Sequence, residues 1–262
     1  MDVVDILQGI FRWLHVVAGI FWIGHLYFFN FVNAGFEGIL DADTRKKVVP
    51  ELRPRALYWF RWGAAWTWIT GVLLLLLVYY HSGLVFEGMK PNWGVPAFFM
   101  LAVVFLGVFA YDALYSSVLK DLQRGFIAGV ILSTLVVCLL DYFARFSYRG
   151  YAIHLGAMFG TIMAFNVWFR IWPAQQKIIT AIKNGEAPDG NLVALAGLRS
   201  RHNTYMSVPL VWGMINQHTT YLSGDNLGIP AAWSFGVYLV VILVGWHAVW
   251  HLYRRAGRVK GI

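Results

Sequence analysis

The sequence predicts an all-α, polytopic transmembrane helix bundle of about seven spans, with its N-terminus outside and its C-terminus inside. Three observations carry this. Several apolar runs reach the ~20 residues needed to cross ~30 Å of hydrocarbon. The 262 residues are 59% hydrophobic and only 13% charged, with a mean hydropathy of +0.58, whereas a soluble domain carries about a quarter charged residues. The basic residues also collect on one side of the apolar runs.

Hydropathy and length place the spans at 9–33, 57–80, 96–118, 125–143, 150–172, 203–221 and 230–253, forming one domain over 1–262. Turn-forming residues punctuate the connectors: Pro50 and Pro54, Pro91 and Pro96, and the stretch from Asn184 through Gly185 and Pro188 to Gly190. Asp2 and Asp5 stand where a secretory signal would be basic, so the first helix is expected to remain in the mature protein.

Of the 21 Lys and Arg, fifteen fall in the inner connectors: Arg45, Lys46, Lys47, Arg53, Arg55, Lys120, Arg124, Lys177, Lys183, Arg199, Arg201, Arg254, Arg255, Arg258 and Lys260. Four lie outside (Arg12, Lys90, Arg145, Arg149) and two, Arg61 and Arg170, within spans. That bias sets the orientation. It also accounts for the net charge of +8 as topology, which argues against nucleic acid as a partner. Trp13, Tyr58, Trp59, Tyr79, Tyr80, Tyr148, Tyr151, Trp172 and Tyr253 at the span ends form the expected aromatic belt against membrane lipid.

Cys138 is the only cysteine, which excludes an internal disulfide, a cysteine-ligated iron–sulfur cluster and C-x-x-C-H haem attachment. No histidine–cysteine–methionine grouping of the blue-copper kind is evident. A bound metal or haem must therefore use histidine, methionine or carboxylate.

The topology sorts the eight histidines into two layers, with His15, His81, His154 and His218 toward the outer face and His25, His202, His247 and His251 toward the inner. Histidines inside spans are costly and become functional candidates, and a b-type haem is held by two imidazoles. His15, His154, His218, His202, His25 and His247 are the candidate haem ligands, with His15, His154 and His218 foremost. His15 and His25 lie about 15 Å apart in depth and about 80° apart in direction, so they serve different neighbours. His247 and His251 share one face a turn apart, so at most one of them is expected to ligate. His81 and His251, at span ends, read first as interfacial side chains, and His202 beside Arg199 and Arg201 equally as a solvated inner-face residue. Gly19, Gly156 and Ala157 beside His15 and His154 suit either a flat macrocycle or tight helix packing.

The remaining polar residues inside spans are Asn30, Arg61, Asp112, Asn166 and Arg170. Asn166 and Arg170 share a face at i, i+4. Asp112, with Arg61 or Arg170, forms either a structural ion pair or part of an inner-side pocket. In the pocket reading Asp112, Arg170 and Asn166 are the candidate catalytic residues, because arginine suits a planar anionic purine. Asp141 and Arg145 read as an i, i+4 surface pair. A faint echo links Arg12, His15, Gly19, Gly24 and Asn30 of the first span to Arg149, His154, Gly156, Gly160 and Asn166 of the fifth, without matching spacing.

Three stretches carry a family resemblance: Arg12 to Gly24 (RWLHVVAGIFWIG), Trp59 to Gly71 (WFRWGAAWTWITG), and His154 to Asn166 (HLGAMFGTIMAFN). The last continues through Pro173 and Gln176 to Arg201-His202-Asn203-Thr204-Tyr205 and Pro209. Together they resemble the membrane domain of the cytochrome c-linked bacterial urate hydroxylase (PuuD type) over nearly the whole chain. The resemblance implies a bacterial inner-membrane protein that oxidises urate to 5-hydroxyisourate and passes electrons to cytochrome c. It singles out His15, His154, His202 and His218, and makes His25 a feature of this chain. No C-x-x-C-H motif occurs here, so the cytochrome c, or another redox subunit at the periplasmic face, is expected to be a separate polypeptide. Three readings stand: a urate hydroxylase-like redox enzyme using haem b, a haem-b electron-transfer subunit of a larger respiratory complex, and a transporter or structural subunit whose histidines hold no cofactor.

Overall fold

The computed structural model describes residues 3–86, 92–218, 220–223, 225–230, 233 and 235–259. Expectations attached to Asp2, Lys90, Pro91 and Lys260 lie outside the described residues. Among those described, seven long helical rods follow one another: α1 (Val3–Gly38), α2 (Ala42–Tyr80), α3 (Val95–Ser117), α4 (Gln123–Phe143), α5 (Tyr148–Asn184), α6 (Gly190–Ile215) and α7 (Phe235–Ala256). All but α6 are long and apolar enough to cross a membrane. Their outward side chains are apolar, with Ile20 67%, Val95 81%, Phe109 62% and Val244 62% exposed. A protein facing water does not present apolar surface on this scale. The chain is a multi-pass membrane protein.

The predicted spans match the rods in number and differ at their ends. Pro50 and Pro54, read as connector residues, lie inside the helix Ala42–Leu74. Proline has no N–H, so the carbonyls of Lys46 and Pro50 receive no i+4 amide bond, yet the helix continues through both. The fifth rod runs to Asn184, where Gly185 at φ 80 ends it in the left-handed conformation that glycine adopts without penalty. The sixth begins at Gly190 and stops at Ile215, with 3-10 turns at Asn216–His218 and Thr220–Leu222 where a span to 221 was expected. Helix α4 ends at Phe143 and Arg145 takes φ 58, so Asp141 and Arg145 do not share a helical turn as predicted.

Four rods contain a widened π-helical turn: Phe28–Asn33, Leu75–Tyr80, Leu139–Phe143 and Asn166–Ile171. The amides of His81 and Ala144 reach back five residues, to Leu76 and Leu139, each at 2.9 Å. Such turns accommodate one extra residue and recur at functional positions. Here they hold Asn30, Tyr80, Asp141, Asn166 and Arg170.

The chain forms two compact units. The first comprises Met1–Gln8, Val72–Ile162 and Val208–Trp246. Within it Gly150 packs so closely on the Val85 carbonyl that a Cβ would lie 2.3 Å from the oxygen. The Ser147 amide donates to that carbonyl at 2.7 Å, and the Ser147 hydroxyl donates to Leu84 O at 2.9 Å. The fully buried Tyr238 donates its hydroxyl to Pro209 O at 3.2 Å. The second unit comprises Gly9–Gly71, Met163–Ser207 and His247–Ile262. Its α1–α2 crossing is set by Gly63, where a Cβ would meet Trp22 N at 2.9 Å and Ala18 O at 3.2 Å. Small residues that bring helix backbones together are the usual device in a membrane, where lipid removes the hydrophobic drive between helices.

Candidate functional site

Helix α6 carries a stripe of polar residues at helical spacing: Arg199 and Ser200, then Asn203 and Thr204, then Ser207. Arg199, Asn203, Thr204 and Ser207 are fully buried. The neighbouring helices of the second unit meet the stripe with polar side chains. From α1, Asn30 Nδ2 donates to Ser200 Oγ at 2.8 Å and to Leu26 O at 2.8 Å, while Tyr27 OH and Ser207 Oγ stand 2.9 Å apart. From α5, Asn166 Nδ2 donates to Asn203 Oδ1 at 2.9 Å, and Asn203 Nδ2 donates to Met163 O at 3.0 Å. From α7, Tyr253 OH donates to Asn30 Oδ1 at 2.9 Å. Both asparagines that reach α6 sit in π-turns. A buried network of this kind specifies one helix arrangement, since each amide needs its partner in a medium without water.

Arg199 is the residue that the sequence reading placed wrongly. It counted among the inner-connector charges, whereas among the described residues it is the largest fully buried side chain. A buried guanidinium presents a fixed planar fork of donors that matches a planar anion. Its signal in the sequence was the period of the α6 stripe. That polarity is also why α6 is absent from the helices apolar enough to span by composition.

The predicted catalytic residues are distributed between the units. Asp112 is half-buried on α3 in the first, while Asn166 and Arg170 belong to the second. Although i, i+4 neighbours, Asn166 is fully buried and Arg170 lies part-exposed with its guanidinium 5.5 Å from the Phe165 ring centre. Arg61, expected as a partner for Asp112, stands 4.0 Å from the Trp172 ring centre, a cation–π contact. Its carbonyl accepts from Trp168 Nε1 at 3.0 Å.

A second polar group anchors the far end of α1. Arg53 holds the buried Glu37 carboxylate through Nε at 2.8 Å and through a second, shorter contact from its terminal nitrogen. Asn33 also donates to Glu37 at 2.8 Å, and Arg53 reaches Gln175 Oε1 at 2.9 Å. These bonds tie the prolines' helical turns to α1 and α5.

The histidines separate by surroundings. His154, in the first unit, is fully buried. Its Nδ1 lies 2.6 Å from Gly150 O, which can only accept, so Nδ1 carries the proton and Nε2 the lone pair. Tyr80 OH lies 3.0 Å from that Nε2, its ring stacked on the imidazole at 5.7 Å, with Phe146 4.7 Å away. His15, in the second unit, is half-buried with Nδ1 3.1 Å from Thr70 Oγ1. Thr70 gives its own proton to Trp66 O at 2.6 Å, so His15 Nδ1 is again the donor. The His15 ring lies against Gly71, where a Cβ would sit 3.0 Å from Cε1. His25 Nδ1 donates to Phe21 O at 2.7 Å. All three thus present Nε2 as the basic nitrogen. A metal-bound imidazole has the same arrangement, its other nitrogen donating to a carbonyl or hydroxyl; at His154 the second nitrogen is engaged by Tyr80 OH. Gly19 faces Thr67 Cγ2 at 3.9 Å, so it serves helix packing.

The other histidines are less enclosed. His202 is half-buried on α6, and His218 is exposed in a 3-10 turn beyond the end of α6 rather than inside a span. His81 is exposed. His247 and His251 are exposed on α7 and face one another.

Fold and site define a multi-pass helical membrane protein with a buried polar cluster centred on one helix. The chain matches the urate oxidase N-terminal family over residues 38–260 and belongs to that family. No curated protein sequence and no solved structure matches the chain.

Proposed function

We propose that this chain is the membrane module of a urate hydroxylase-like oxidoreductase in a bacterial inner membrane, passing electrons from a purine to a periplasmic cytochrome c. The observation that carries this reading is a buried, cationic polar stripe on one helix of a multi-pass membrane protein of the urate oxidase N-terminal family. Oxidation of urate balances as urate plus water giving 5-hydroxyisourate, two protons and two electrons. The chain must then hold an anionic, planar heterocycle and an electron carrier.

Arg199 supplies a planar fork of donors for the anionic edge of the purine. Asn203 and Asn166 supply amides that select its donor and acceptor pattern, and Arg170 sits one turn along α5. Asp112, in the other unit, has no part in this assignment. His154 in the first unit and His15 in the second are each, separately, candidate ligands of a haem b through Nε2, with His202 and His218 as the further candidates that the family motifs single out. For His154 this requires Tyr80 to release its hydrogen bond to Nε2. Haem b, when bound, supplies a one-electron acceptor and donor between substrate and cytochrome c.

The test is a reduced-minus-oxidised visible spectrum of the purified chain, followed by anaerobic addition of urate. Haem bands that are lost or shifted in His154→Ala, and that urate reduces, are the expected result. Arg199→Lys should keep the bands and lose reduction by urate, because lysine is a point donor without the fork. A featureless spectrum overturns the haem assignment. Bands that urate leaves oxidised, even with a supplied cytochrome c, overturn the urate assignment.

A further inference from the structure

One side-chain cluster takes no part in the reading above. His247 and His251 stand one turn apart on α7, both exposed, with their Nε2 atoms 3.0 Å from one another and their rings at 84°. Two imidazole nitrogens that each bind one metal ion at about 2.0–2.1 Å subtend about 95° at the ion when they are this far apart. That is close to the right angle between adjacent sites of a square-planar or octahedral ion. A tetrahedral ion needs the nitrogens about 3.3 Å apart at the same bond length, a shift of a few tenths of an ångström for exposed side chains, so the choice of ion follows affinity order rather than this distance. Square-planar and tetragonal nitrogen sites are the preference of Cu2+ and Ni2+, and Cu2+ stands highest in divalent affinity order.

The surroundings allow an ion to arrive. The pair lies three to eight residues before Arg254 and Arg255 at the basic end of α7, about 5–12 Å along the axis at 1.5 Å per residue. Trp250 packs on both rings, 5.7 Å from His247 and 4.8 Å from His251. Tryptophan and arginine at a helix end mark the headgroup layer, where water reaches side chains. Arg254 is turned onto the Trp250 face at 4.6 Å, a cation–π contact. In the pair's own hydrogen bond one Nε2 carries a proton. Ion binding needs both lone pairs, so that ring moves its proton to Nδ1 and no net charge is lost.

We propose that His247 and His251 form a two-imidazole chelate for a divalent first-row ion with right-angled sites, Cu2+ in preference to Zn2+, on the exposed face of α7, with water filling the remaining positions. The site is independent of the haem and urate assignments.

The experiment is a Cu2+ titration of the full chain in detergent after chelator treatment, followed by electron paramagnetic resonance. One Cu2+ per chain with two equatorial imidazole nitrogens is expected. His247→Ala and His251→Ala should each weaken binding about 100-fold, the typical gain from joining two ligands in one chelate, while His81→Ala, at an exposed histidine with no assigned role, leaves it unchanged. Helix content by circular dichroism confirms that each variant folds. Absence of uptake overturns the proposal, as does unchanged affinity in the double variant. A wild-type spectrum with fewer than two coordinated nitrogens overturns it without recourse to any variant.

Discussion

If the α6 stripe is a bonded network, Asn166 and Asn203 must be energetically coupled. Asn203→Ala removes two bonds, one accepted from Asn166 at 2.9 Å and one given to Met163 O at 3.0 Å. Interhelical hydrogen bonds inside membranes average about 0.6 kcal/mol each with a maximum near 1.7. Leaving a buried polar partner without its bond adds about 1–3 kcal/mol. Because Asn203 is fully buried, solvent does not repair the loss, and Asn203→Ala should destabilise by about 2–4 kcal/mol. Asn166→Ala removes one of the same bonds, so the double variant should lose less than the sum of the two single losses, by about 0.6–1.7 kcal/mol. The assay is reversible unfolding of all four proteins in mixed micelles of rising dodecyl sulfate fraction, read by circular dichroism. Additivity within about 0.3 kcal/mol, the behaviour of independent sites, would refute the network.

Three further outcomes follow from the packing and charge. Gly63→Ala should destabilise by about 1–3 kcal/mol, because its Cβ meets backbone atoms of Trp22 and Ala18; Gly24→Ala, with nothing within 4 Å, should instead stabilise by about 0.5–1 kcal/mol, and thermal unfolding in detergent compares the two. Glu37→Gln should cost about 2–4 kcal/mol, less than a wholly buried pair because Arg53 retains 19% side-chain exposure; chemical unfolding with Arg53→Ala as the second arm checks it. Asp41 accepts the Thr44 amide at 2.9 Å, which together with the Thr44 hydroxyl holds its carboxyl below the usual carboxylate range. A depressed folded-state value means the cap is fully present above the unfolded-state value and is lost as pH falls through the folded one. Amide exchange at Thr44, corrected for intrinsic rates, should therefore accelerate on acidification in the wild type and be fast at every pH in Asp41→Ala.

The spans were legible because length and hydropathy are summed properties. Helix α3 was expected at 96–118 and runs Val95–Ser117. The glycine stop after Asn184 was legible for a different reason, since only glycine takes that backbone angle freely. Tertiary bonds overrode the local signals elsewhere. Pro50 and Pro54 read as breakers, but the helical turns around them are held by Arg53 to Glu37 and Gln175, which no local rule sees. The α6 stripe was hidden by averaging: hydropathy over a whole turn cannot distinguish one buried polar face from a solvated loop, so Arg199 was read as topology. Directions around the helices were the least legible part. A wheel drawn at 100° per residue holds only while the turn is α-helical. Each π-turn adds one residue and rotates everything beyond it by about 100° relative to a regular helix. Four of the seven rods contain such a turn, and these turns hold Asn30, Tyr80 and Asn166, the side chains that grip α6 and His154. Depth along a span could therefore be read from the sequence with some accuracy, whereas the partner of each polar group depended on where the wide turns fell.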